Sequence, residues 1–123
     1  MARPSRSGIL IVSSGLGTFP CAGWLALSIV KSLQSFLGRG LNYELRNKID
    51  VTSFDCGEVV TQTNTNPPTF FRCMPNVATE AALRDMGKEA VTAGTWRQEF
   101  RMWSREAFMT TSLQNKVFYD LAA

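Results

Sequence analysis

The sequence predicts a mainly α-helical protein that has a single N-terminal transmembrane helix, a short extended or hairpin segment and a helical C-terminal tail. Residues 8–30 contain no charged side chain, and about 20 consecutive apolar residues are enough to cross a bilayer as a helix. Residues 51–75 are rich in valine, threonine and phenylalanine around an Asn-Pro-Pro turn cluster, which is typical of extended structure. Residues 76–123 combine helix formers with N-capping patterns.

These patterns divide the chain into four segments. We expect a basic N-terminal tail at residues 1–7 and a transmembrane helix with an amphipathic extension at residues 8–37. A connector and extended segment follow at residues 38–75, and a helical tail at residues 76–123. Within residues 8–37, Pro20 should kink the helix.

Small residues recur through the apolar run at helical spacing. On a helix they would form a face that lets a second membrane helix approach closely. The predicted helix-packing interface consists of Ser13, Gly17 and Cys21 on one row and of Gly15 and Gly23 on the adjoining row.

An alternative interpretation of the same stretch is a small soluble α/β module. A buried strand at 9–12 would lead through a glycine-rich turn at 15–22 into a helix that ends near Leu37, and this turn could bind a phosphate or nucleotide. The fingerprint of a dinucleotide site is incomplete, because Pro20 stands where the third glycine is expected. The helices after residue 75 also favour the membrane interpretation, since a parallel sheet needs further strands.

The distribution of charge suggests a location. Residues 1–43 contain no aspartate or glutamate but include Arg3 and Arg6, a pattern typical of mitochondrial import sequences. We therefore expect a single-pass protein of the mitochondrial inner membrane. By analogy of size and layout, it would be an accessory subunit of a respiratory-chain complex or ATP synthase, with structural or assembly rather than catalytic function.

Cys56 and Cys73 lie nearly symmetrically about the turn cluster. They could form a disulfide if the two extended arms were antiparallel and in register, or they could be reduced, buried thiols. The chain has no histidine and no CxxC pair, so the usual tetrahedral zinc ligands are missing, and we expect no metal site.

A predicted helix that begins after Thr95 has two distinct sides. Trp96, Phe100 and Trp103 share one side, which suits a core or an interface. The other side carries Arg97, Arg101 and Arg105, which could be solvated or could contact an acidic partner or anionic lipid.

Other function classes find little support in the sequence. The net charge of +3 is dispersed, whereas nucleic-acid binders carry clustered basic residues. Without histidine, a serine or cysteine nucleophile has no evident base. We therefore expect no catalytic residues, no cofactor, no small-molecule substrate and no nucleic acid, and we expect the partners to be membrane-complex subunits and lipids.

Overall fold

Three parallel strands form the centre of the computed structural model, which describes residues 7–63 and 65–122. The strands are adjacent in the order β1-β2-β3, and helices connect them, as parallel strands require. In chain order the elements are β1 (Gly8–Ser14), a single 3-10 turn (Gly15–Gly17), α1 (Leu25–Leu45), β2 (Asp50–Cys56), α2 (Pro75–Asp85), β3 (Val91–Thr92), α3 (Trp96–Phe108) and α4 (Thr111–Ala122).

This α/β architecture contradicts the predicted mainly α fold. The first part of the apolar run is strand β1, which pairs along its length with β2, and the helix begins only at Leu25. Strands of parallel sheets read as continuous apolar runs, and periodicity cannot distinguish a short run of this kind from a buried helix.

None of the helices in the described part of the chain combines the length and the apolar character that crossing a membrane requires. The predictions of a transmembrane helix at residues 8–37, of a single-pass subunit of a respiratory complex or ATP synthase and of a mitochondrial inner-membrane location are therefore wrong. Arg3 and Arg6, on which the import-like interpretation depended, lie outside the described residues.

Helix α1 packs on β1 and β2 through its small polar side. Ser28 and Ser35 are buried, whereas Leu33 and Phe36 are exposed. A Cβ on Gly38 would lie 2.8 Å from the Cβ of Ser53, so this glycine permits close helix-sheet contact rather than ending the helix.

The segment between β2 and α2 is not a hairpin. It contains an isolated parallel bridge between Val59 and Cys73, supported by the hydrogen bond from Val60 N to Cys73 O at 3.0 Å. Three helices follow in the C-terminal third, but β3 lies among them and completes the sheet. The hydroxyl of Thr95 caps α3 by accepting a hydrogen bond from Gln98 N at 3.4 Å.

A small apolar cluster fills the space between the sheet and α2. Phe54 packs there with Ala78 and Ala82, and Leu10, Cys56, Val59 and Cys73 contact the cluster from its edge. The small core leaves the carboxyl ends of β1 and β2 free to border a cavity.

Candidate functional site

The carboxyl ends of β1 and β2 meet at one edge of the sheet. Their register places Ser14 opposite Cys56, and the chain turns away immediately after both residues. In open parallel α/β sheets, ligands bind in the crevice beyond these ends.

A cavity of about 450 Å³ lies at this edge. Its volume is within the range of small-molecule sites, roughly 300–1,000 Å³. The strand ends, the segment after β2, helix α3 and the end of α4 all contribute to its wall. The lining residues are Ser14, Gly15, Leu16, Trp24, Cys56, Gly57, Glu58, Val59, Thr61, Gln98, Arg101, Met102, Arg105 and Leu121.

Glu58 holds a charged network in the cavity wall. Its Oε1 accepts a hydrogen bond of 2.8 Å from Nη2 of Arg101, and its Oε2 accepts one of 2.8 Å from Nη2 of Arg72. Partial burial works against the charged carboxylate, but the hydrogen bonds and charges of Arg101 and Arg72 outweigh it and lower the pKa of Glu58. The network ties α3 to the segment after β2.

Gln98 is the buried polar residue of this wall, with 2% of its surface exposed. Its Nε2 donates hydrogen bonds to the carbonyl oxygen of Glu58 at 3.1 Å and to Sγ of Cys73 at 3.3 Å. Its Oε1 is buried and has no hydrogen-bond partner in the described structure. An unpartnered buried acceptor is unusual. Nothing in the sequence marks Gln98 as a site residue except its place in the capping pattern after Thr95.

Cys56 and Cys73 are free thiols in the structure. Burial raises the pKa of Cys56, the nearby Cys73 raises it further, and the charge of Lys31 lowers it. Burial also raises the pKa of Cys73. Both side chains contact the apolar cluster around Phe54, and a disulfide between them stays a prediction.

The predicted helix-packing residues are distributed around the connection between β1 and α1 instead of sharing one helix face. Ser13 donates a 2.5 Å hydrogen bond to the carbonyl oxygen of Lys31. Two glycines make close contacts, since a Cβ on Gly15 would lie 3.4 Å from Sδ of Met102 and one on Gly17 would lie 2.7 Å from the backbone of α1. Cys21 is fully buried, and Gly23 has a positive φ of 82°.

The residues predicted to contact a partner or lipid separate into two groups. Arg101 and Arg105 line the cavity, whereas Arg97 stacks over the ring of Phe70 at 4.7 Å. Trp96, Phe100 and Trp103 are exposed. Contact with a partner or with lipid stays a prediction.

Parts of the turn at 15–22 are already engaged within the chain. A Cβ on Gly17 would lie 2.7 Å from the backbone of α1, Pro20 has no N–H to donate, and the N–H of Ala22 donates to Oδ1 of Asn115 at 3.1 Å. No group of three or more metal-ligating side chains occurs among the residues that the structure describes.

No protein-family model and no curated protein matches the chain. Among solved structures, the chain is similar to a protein from a study of 7β-hydroxysteroid dehydrogenase stereoselectivity, with a TM-score of 0.76 and 17% sequence identity. The match covers 90% of this chain and 47% of that protein. The expectation of a structural rather than catalytic function is therefore corrected, because a protein with this fold was studied as a dehydrogenase. This chain shares its α/β fold with that protein and spans about half of that protein's length.

Proposed function

We propose that the protein binds an apolar small molecule that carries a hydroxyl group, in the cavity at the carboxyl ends of β1 and β2. Two observations carry the proposal: the largely apolar lining of this cavity, to which Gln98 contributes, and the buried Oε1 of Gln98 that has no partner in the described structure. Sites for small molecules combine apolar walls with a few placed polar groups. This differs from the expectation that the protein has no small-molecule ligand.

The apolar part of the ligand would contact Leu16, Trp24, Val59 and Met102, which line the cavity. Burial of the ligand's apolar surface provides a non-directional driving force. A rigid hydrocarbon skeleton with one hydroxyl group, such as a sterol or steroid, has this combination of an apolar surface and one polar group.

The polar part of the ligand would be positioned by two side chains. Because Oε1 of Gln98 is buried, the amide would rotate toward the cavity and Oε1 would then accept a hydrogen bond from the ligand hydroxyl. Ser14 Oγ accepts a hydrogen bond of 3.3 Å from the N–H of Leu16, and its own proton can be donated to the ligand oxygen. A hydrocarbon without the hydroxyl would leave Gln98 unsatisfied and would bind more weakly.

A second candidate function is oxidoreduction of such an alcohol, which the fold similarity to a hydroxysteroid dehydrogenase supports. Ser14 would then hold the reacting oxygen. The alcohol carbon would give up a hydride to a nicotinamide cofactor and the alcohol oxygen would lose its proton, and we assign no residue of this chain to binding that cofactor.

Binding can be tested by titrating the protein with hydroxysteroids and the matching deoxysteroids, with fluorescence of Trp24 in the cavity and calorimetry as readouts. Wild-type protein should bind the hydroxylated member of each pair about tenfold more tightly, as expected for one hydrogen bond. Gln98→Met should remove this preference while retaining affinity for the deoxysteroid. Conversion of the hydroxyl to a ketone, followed by mass spectrometry with added NAD⁺ or NADP⁺, tests the second candidate.

Gln114→Met is the matched control. Gln114 is also a buried glutamine whose Oε1 has no partner in the described structure, but it lies outside the cavity wall. Its replacement should leave the hydroxyl preference unchanged. The proposal is wrong if no steroid pair binds saturably, or if Gln98→Met keeps the full hydroxyl preference.

A further inference from the structure

The two edges of the parallel sheet are protected to different degrees. β3 forms one edge and has only two residues, whereas β1 forms the other edge with seven. Natural sheets protect exposed edges with very short strands, charged side chains, proline or bulges. The sequence of β1, GILIVSS, contains no charge and no proline, and its continuous register with β2 leaves no bulge. The edge formed by β1 therefore lacks these protections.

β1 also has the composition of a strand from the interior of a parallel sheet. Residues 9–12 are all apolar, as is typical of strands that are covered on both faces. In the structure Ile9 is 40% exposed and Val12 is 51% exposed, and the two side chains lie on opposite faces because side chains alternate along a strand. β1 thus combines the sequence of an interior strand with the position of an edge strand.

The side of β1 that faces away from β2, which we call the outer edge, carries unpaired backbone groups. The N–H of Asp50 donates to the carbonyl oxygen of Ser7 at 3.0 Å, so the odd-numbered residues of β1 direct their backbone groups to β2 in the parallel ladder. The N–H and C=O groups of Gly8, Leu10 and Val12 therefore point to the outer edge, where the described part of the chain contributes no strand. Another extended backbone is the partner that matches such a row of donors and acceptors.

We propose that the outer edge of β1 binds an uncharged β-strand of another α/β polypeptide, which extends the parallel sheet. The same fold occurs within a larger protein, since the match to the dehydrogenase structure covers 47% of that chain. A strand added in parallel places its carboxyl end beside those of β1 and β2, next to the cavity. The proposal goes beyond the proposed function and does not depend on it, because the backbone groups of the outer edge pair whether or not the cavity is filled.

Amide hydrogen exchange of the full chain, followed by NMR, checks the geometry of the outer edge. The amides of Leu10 and Val12 should exchange faster than those of Ile9 and Ile11, because only the latter two donate to β2. Equal protection of the two pairs would contradict the unpaired edge and overturn the proposal.

Binding is tested with a synthetic peptide of alternating valine and threonine residues, as long as β1 and with a lysine at each end for solubility. It should bind saturably and slow the exchange of the Leu10 and Val12 amides. A matched peptide that is N-methylated at every valine and threonine keeps the side chains but loses the backbone donors, and it should bind at least about tenfold more weakly. A spin label at the amino end of the unmethylated peptide should broaden the signal of Gly8 more than that of Ser14. The reverse order, or equal binding of the two peptides, would overturn the proposed parallel extension.

Two substitutions at Val12 locate the binding edge in the protein. Val12→Pro removes an N–H that points to the outer edge and leaves the ladder between β1 and β2 intact, so the peptide should bind about tenfold more weakly. Val12→Lys keeps the N–H and adds a charge of the kind that protects natural edges, and it should also weaken binding. Circular dichroism checks that both variants are folded.

Leu33→Gln is the matched control, because it replaces an exposed apolar side chain on α1 instead of β1. It should leave peptide binding unchanged. Absence of saturable binding to the wild type, or equal weakening by Leu33→Gln, would refute the proposal. A symmetric pair of copies would align two β1 strands antiparallel. A wild-type dimer in sedimentation velocity that Val12→Lys dissociates would therefore assign the outer edge to a second copy of the chain instead.

Discussion

Ser35 Oγ donates a hydrogen bond of 2.9 Å to Oδ2 of Asp55, a carboxylate with only 1% of its surface exposed near the end of β2. Ser53 donates a second hydrogen bond of 2.8 Å to Oδ1, and Nη2 of Arg39 lies 3.8 Å from Oδ2. A buried charge needs such partners. The need of the buried Asp55 carboxylate for hydrogen-bond donors explains why the serine side of α1 faces the sheet.

Replacing Ser35 should therefore destabilise the folded protein. We expect Ser35→Ala to lower the free energy of unfolding by about 1–3 kcal/mol, because it removes a donor from a buried carboxylate. Urea denaturation followed by circular dichroism measures the change. Ser32→Ala on the same helix is the control and should cost less. A Ser35 variant as stable as the wild type would show that Asp55 does not need this hydrogen bond.

Two glycines next to or within α1 should respond in opposite ways to alanine. At Gly17 a Cβ would lie 2.7 Å from backbone atoms of Lys31 and Ser32, so Gly17→Ala should destabilise the fold by about 1–3 kcal/mol. A Cβ on Gly40 would meet no atom within 4 Å outside its chain neighbours and the backbone of its own helix, so Gly40→Ala should stabilise the helix by roughly 0.5–1 kcal/mol. Thermal unfolding of both variants provides the comparison. Equal effects would contradict the close contact between the turn and α1.

The network around Glu58 should make stability depend on pH. Its pKa in the folded protein lies below the ordinary value of 4.5, because hydrogen bonds and charges of Arg101 and Arg72 outweigh its partial burial. Its stabilising contribution is therefore fully present above the unfolded-state pKa and is lost as the pH falls through the folded-state pKa.

We expect Glu58→Gln to lower the urea midpoint at neutral pH and to have a smaller effect below about pH 4, where the wild-type carboxylate is becoming protonated. Glu106→Gln, an exposed substitution on α3, is the control. A difference between wild type and Glu58→Gln that stays constant across this range would rule out the charged network as its source.

The two cysteines near the cavity should react slowly while the protein is folded. Burial raises the pKa of both Cys56 and Cys73, and the thiolate is the reactive form. Alkylation by iodoacetamide at neutral pH should therefore be slower than in the urea-unfolded chain. Intact mass after mild oxidation with oxidised glutathione tests the predicted disulfide. Loss of two hydrogens without a glutathione adduct, abolished by Cys73→Ser, would support it.

Local patterns in the sequence anticipated several pieces of this structure. The α/β alternative placed a strand at 9–12, a glycine turn at 15–22 and then a helix, in the order of the observed β1, 3-10 turn and α1, but α1 continues to Leu45 instead of ending near Leu37. The capping pattern at Thr95 also correctly located the start of α3. These features depend on neighbours within one or two turns of chain, so sequence spacing reports them directly.

The cavity could not be predicted from the sequence, because its polar side chains come from positions that are distant in the chain. Ser14, Glu58 and Gln98 meet only after β1, β2 and α3 are packed together. No spacing rule links them, and Gln98 resembles any other glutamine on a helix. Its special role arises from burial and from an acceptor left without a partner.

The sequence by itself determined that residues 8–30 form an uncharged, largely apolar run and that residues 96–108 form a two-sided helix. Only the tertiary structure decided that the run divides into β1, a turn and the start of α1, and which side of the second helix faces out. An uncharged run is compatible both with a membrane helix and with a strand in a sheet. The first part of this run is a strand because β2, about 40 residues away in the chain, supplies hydrogen-bond partners to its backbone. On α3, Gln98 and Arg101 form hydrogen bonds with Glu58 on the inner side of the helix. The aromatic rings of α3 therefore lie on the surface.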